Sequence, residues 1–191
     1  KEEWDTLVGL YQSLAGRAEG QEEKQEWLAR IYDVRTTRQD DPTGAYAACK
    51  IMVALDPTDA ERLNLLVQHA VEIDDVPDLV SFLGQTLGDD RISGTDLEPE
   101  LRFLLGSVLQ GHTDDNQGAA DNFEKVAESE HPTLAPDARR LLRNLYPELE
   151  SWDPYVVLLE TLSADAPDPA ERKPLLLASG GVPAQTLSDH V

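Results

Sequence analysis

The sequence predicts an all-α fold of about ten helices stacked as antiparallel pairs. Three observations carry this expectation. An apolar stripe at i, i+3, i+4, i+7 recurs along the chain. Helix breakers cut the chain at regular intervals. The chain also matches itself when shifted by about 74 residues. Strand patterning is weak, because Val, Ile, Thr and the aromatics never alternate with polar residues over a useful stretch.

The elements follow in order. Trp4, Leu7, Val8 and Tyr11 form the first stripe, closed by Gly16 and Gly20. Trp27, Leu28 and Ile31 mark a second helix among Glu22, Glu23 and Glu26. Asp41-Pro42 places an acceptor side chain before a Pro suited to a first helical turn. That helix carries Cys49 and Met52 and ends at Asp56-Pro57. Leu63, Leu66, Val67 and Ala70 repeat the stripe, and Asp74-Asp75 interrupts it. Residues 76–83 begin another helix, and Gly88 to Thr95 reads as the longest loop. Asp96 and Glu98-Pro99-Glu100 favour the N-terminus of the helix bearing Leu101, Leu104, Leu105 and Val108. Asp114-Asp115-Asn116 reads as a turn and helix start, because it lacks the Gly and the bidentate Glu of a calcium loop. His131-Pro132 precedes the stripe Ala138, Leu141, Leu142, Leu145, and Pro147 is expected to stop it. Trp152 to Leu159 opens a further helix, and Asp168-Pro169 signals the last one. Gly180-Gly181 and Pro183 end the periodicity, leaving 180–191 as a tail. An open helical stack needs a cap, so Val182, Leu187 and Val191 are expected to pack on an apolar surface.

The 191 residues correspond to one domain of the usual ~100–200 residues. Acidic residues number 37 against 16 basic ones, a formal net charge of −21. Nucleic acid and anionic lipid both require a basic surface, so neither is an expected partner. Apolar residues make up 40%, too many for wholesale disorder, and no run is long enough to cross a membrane. A lone Cys49 forbids an intrachain disulfide and suits the core, which fits a reducing compartment such as the cytoplasm. The first residue is Lys, so the sequence is expected to be a stretch of a longer polypeptide, and localisation stays open.

Self-comparison sets the organisation. The stretch 4–11 aligns with 76–83 and with 152–159, so Trp4, Val76 and Trp152 share a position. Asp40-Asp41-Pro-Thr-Gly-Ala45 aligns with Asp114-Asp115-Asn-Gln-Gly-Ala119. Cys49 and Met52 then match Phe123 and Val126. These matches define four-helix units over 2–74 and 75–150 and a partial unit over 151–179, together a repeat domain over 1–179. The shared position makes Trp4 and Trp152 core-packing residues rather than a ligand platform, and Trp27 reads the same way.

Gly44-Ala45, Cys49, Met52 and Leu55-Asp56-Pro57 resemble the second helix of a tetratricopeptide repeat. Ala60, Leu63, Leu66, Val67 and Ala70 resemble the first helix of the next. Ser129-Glu130-His131-Pro132 departs from that ending in the second unit, so the chain is tetratricopeptide-like rather than a regular array. The resemblance implies a right-handed α-α superhelix, an α-solenoid, whose concave groove binds peptides or partner proteins through first-helix residues.

No signature for nucleotide, metalloprotease, dinucleotide or nucleophile-elbow chemistry is present. The four His are scattered, without ligand spacing, and read as surface or helix-end residues. Cofactors are not expected. The charge pattern points elsewhere. Arg139 and Arg143 stand one residue after the buried stripe, Arg102 stands one after Leu101, and Asn64 and Gln68 occupy the same row in the first unit. Arginine binds carboxylates bidentately, so this row is a candidate groove for an acidic peptide or C-terminal carboxylate. Pairing with neighbouring acids on a solvated face is the competing reading. The function expected is a non-enzymatic protein-interaction scaffold. The rival is a structural or regulatory solenoid segment of a larger protein whose enzymatic domain lies outside this sequence.

Overall fold

A computed structural model describes residues 2–166 together with Arg172, Leu175 and Leu177. The helices are α1 (Glu2–Arg17), α2 (Gln21–Val34), α3 (Pro42–Leu55), α4 (Ala60–Glu72), α5 (Val76–Leu87), α6 (Leu97–His112), α7 (Asn116–Ala127), α8 (Leu134–Glu148) and α9 (Trp152–Asp165). No strand occurs among the described residues. The fold is all-α, and within each compact unit consecutive helices pack on one another. The chain forms two compact units, one ending at Ser93 and the other beginning at Gly94. The Asp168-Pro169 start of the expected tenth helix, and the tail residues Val182, Leu187 and Val191, lie outside the described residues.

The same local chemistry starts α3 and α7. Asp41 accepts a hydrogen bond from the Gly44 amide at 2.9 Å, and Asp115 accepts one from Gly118 at 2.8 Å. Each satisfies an amide that the first helical turn cannot. The Gly three residues on is required by space: a Cβ at Gly44 would lie 2.5 Å from the Asp41 carboxylate, and one at Gly118 2.4 Å from that of Asp115. The matched core follows one turn later. Ala45 and Ala119 are both fully buried, as are Cys49 and Phe123.

Cys49 and Phe123 differ greatly in volume, and their neighbours compensate. Phe123 has Gly106 opposite, where a Cβ would come within 2.8 Å of the ring. Cys49 has within electrostatic reach Tyr32, which stands at the position matching Gly106. Large and small have exchanged places, which keeps the interior close-packed. Cys49 donates to the Arg62 carbonyl at 3.3 Å, and burial pushes its thiol up to about 11, so it is a core group.

At four points the structure adds to or departs from the sequence reading. The approach to α3 is not plain helix: Arg35–Gln39 forms a π-helical turn, closed by the Asp41 amide donating to the Arg35 carbonyl at 2.9 Å. Asp40 takes a left-handed φ of 50°, and the Arg35–Asp41 ion pair at 2.6 Å locks the turn. Pro147 does not stop α8. It sits in the last turn, where one missing amide costs little, and the chain reverses at Glu150 with φ 55°. The tryptophans are half-buried rather than central. Trp4 stacks under Arg38 at 5.3 Å, Trp27 lies 5.7 Å from Tyr11, and Trp152 meets Tyr155 edge-on at 6.3 Å. His69 lies near the end of α4 as expected, but its ring is only 13% exposed and bridges Tyr32 (2.9 Å) and Glu72 (3.1 Å).

Candidate partner-binding surface

In the first unit, Asn64 and Gln68 project from α4 as exposed residues. They alternate with Leu63, Leu66 and Ala70, which are buried against α3. Asp59 caps α4 by accepting from the Arg62 amide at 3.1 Å, Arg62 donates to Gln25 of α2 at 2.5 Å, and the Cys49 thiol of α3 donates to the Arg62 carbonyl. Nothing in this framework occupies the outward amides of Asn64 and Gln68, which leaves both hydrogen-bonding groups to solvent.

In the second unit, the arginines have different surroundings. Arg143 is exposed on α8. Arg139, one turn earlier, is half-buried: it donates to the Ala127 carbonyl at 3.0 Å and faces Asp165 at 3.5 Å. It lines an open cavity of about 450 Å³ between α7, α8 and α9, with Glu124, Glu128, Leu142, Tyr146 and Leu158. Tyr146 donates to Glu124 at 3.0 Å, and burial, followed by the charge of Glu124, raises its phenol well above the ordinary range.

Arg102 lines a separate cavity of about 650 Å³. Its walls come from the turn before α6 (Gly94, Thr95, Asp96), the start of α6, and the α7–α8 connection (Ser129 to Pro132). Glu98 holds it together, accepting from the Gly94 amide and the Arg102 guanidinium, each at 2.7 Å. The backbone donor first and Arg102 second keep the Glu98 carboxyl below its usual value. A depressed folded-state value stabilises the fold above the unfolded pKa of ~4.3 and is lost as pH falls through the folded value. Urea midpoints measured from pH 7 to pH 3 should therefore fall, and Glu98→Gln should remove part of that slope.

Lys125 and His131 share this cavity with Arg102. Neither stood out in the sequence. The only signal was the departure of Ser129-Glu130-His131-Pro132 from the Leu55-Asp56-Pro57 pattern. Where the first unit closes α3 with an Asp56–Thr58 turn (2.6 Å), the second uses the Leu134 amide donating to the His131 ring at 3.2 Å. The altered connection forms one wall of the cavity. Thus Arg102 and Arg139 line different cavities, and Arg139 and Arg143 share the face of α8. Among the described residues, no group of three His, Cys, Asp or Glu is arranged to hold a metal ion.

No protein-family model matches the chain, and no curated protein sequence matches it. Among solved structures, the crystal structure of MamA protein is similar to this chain at 22% identity and a TM-score of 0.49, covering 86% of this chain and 87% of that one.

Proposed function

We propose that this chain is a tetratricopeptide-like, non-enzymatic interaction module that binds an acidic peptide segment of a partner protein. The observation that supports the reading is a framework repeated with a changed surface. Leu63 and Ala70 on α4 and Ala138 and Leu145 on α8 are buried equivalents. The outward residues between them switch from Asn64 and Gln68 to Arg139 and Arg143. In a chain of net charge −21, an exposed Arg143 one turn from a half-buried Arg139 is an unusual resource, since guanidinium groups bind carboxylates bidentately. On the first unit the same positions carry the amides of Asn64 and Gln68, and on the second Arg102, ion-paired with Glu98, lines a cavity of its own.

The test is calorimetric titration of the full chain with a dodecapeptide rich in Asp and Glu. Saturable binding is expected, weakening as salt rises. Arg143→Glu, at an exposed position, should reduce affinity at least tenfold without moving the melting temperature. Equal binding of a Lys-rich peptide, or an unaffected Arg143→Glu variant, would contradict the reading.

A further inference from the structure

The start of α8 is held by a histidine ring rather than by its cap residue. Thr133 makes no side-chain hydrogen bond to the first turn. The Leu134 amide instead donates to His131 Nδ1 at 3.2 Å. A backbone amide can only donate, so Nδ1 carries a lone pair, and the ring is neutral with its proton on Nε2. That Nε2–H faces the Glu100 carboxylate of α6 across 4.0 Å, too far for a hydrogen bond. His69 is the contrast. Its two nitrogens meet the Glu72 carboxylate at 3.1 Å and the Tyr32 hydroxyl at 2.9 Å, and both oxygens can accept from a doubly protonated ring.

We propose that His131 is a pH-sensitive latch: neutral, it caps α8 through Nδ1; protonated, it releases the Leu134 amide and pairs with Glu100. Protonation puts a hydrogen on both nitrogens, so the acceptor for Leu134 disappears. It also sets a positive charge at a helix N-terminus, where the dipole disfavours it. The surroundings supply the second partner. Arg102 of α6 is already paired with Glu98, Lys125 of α7 with Glu128, and Asp137 of α8 with Arg140. Glu100 beside the ring, with Glu130 and Asp96 on the walls of the same cavity, makes the remaining charge acidic. Imidazole gains its proton between about pH 7 and about pH 5, a range in which Glu98, held below the usual carboxylate value, keeps its charge. Ser129 to Pro132 form a wall of the cavity beside Arg102, so the latch ties that wall to the protonation of one ring. It does not depend on what the arginines bind.

The experiment is an NMR titration of the full isotopically labelled chain from about pH 7.5 to about pH 5, the range in which histidine titrates. At the upper end the His131 ring nitrogens should report a proton on Nε2 alone. As the ring gains its second proton, the Leu134 amide resonance should move with it, and protection of that amide from solvent exchange should fall about tenfold. His131→Asn places a non-titrating acceptor where Nδ1 stands, so Leu134 protection should then stay level across the range. Glu100→Gln removes the second partner and should move the transition to lower pH. Retained far-ultraviolet circular dichroism separates release of the turn from loss of the fold. A proton on Nδ1 at the upper end, or Leu134 protection that falls equally in His131→Asn, would overturn the latch. A transition left in place by Glu100→Gln would overturn the exchange of partners.

Discussion

Phe123→Ala is expected to cost about 3–5 kcal/mol, the usual range for truncating a buried aromatic. The ring is fully buried, stacks against Phe103 at 5.5 Å, and presses on the bare Cα of Gly106. Removing it leaves a void beside a glycine, which has no side chain of its own to fill it. Urea unfolding of the full chain gives the number. The complementary change, Gly106→Ala, should also destabilise, by about 1–3 kcal/mol, because its methyl would intrude on the ring. Combined with Phe123→Leu, it should cost less than the two single effects added, since the smaller side chain makes room. Strict additivity would mean that the two positions do not share one space.

Leu66→Ala and Leu142→Ala should each lose about 2–5 kcal/mol. Leu66 is completely buried on α4, and Leu142 is 2% exposed on α8. Each side chain fills the seam between its helix and the preceding one, within its own compact unit. A loss below ~1 kcal/mol in chemical denaturation would show that the apolar stripe is not the core.

Most of the helical framework was legible because its causes are local. The Asp-x-x-Gly starts of α3 and α7 carry their own caps, and the Gly is fixed by the carboxylate packed on it. The stripes at Leu63 to Ala70 and Ala138 to Leu145 specify which side of each helix is buried. What the sequence did not disclose depends on partners distant along the chain. The π-helical turn at 35–39 exists because Arg35 reaches Asp41, which periodicity does not encode. His69 looked like a helix-end residue until Tyr32, on another helix, approached its ring. The three tryptophans share apolar character with the core but sit at its margins, where cations and other aromatics cover part of each ring. The arginine row was visible as a register, and its division between two cavities was not, because the walls of each cavity bring together residues distant along the chain.

The proposed function rests on arginines of a repeated helical framework binding an acidic partner segment. The most direct measurement is a titration of the isotopically labelled chain with the acidic dodecapeptide, following the arginine Nε–H resonances by NMR. Saturable shifts are expected at Arg139 and Arg143, with Arg30 and Arg91 unmoved. Shifts of equal size at every arginine, or none at Arg143, would contradict it.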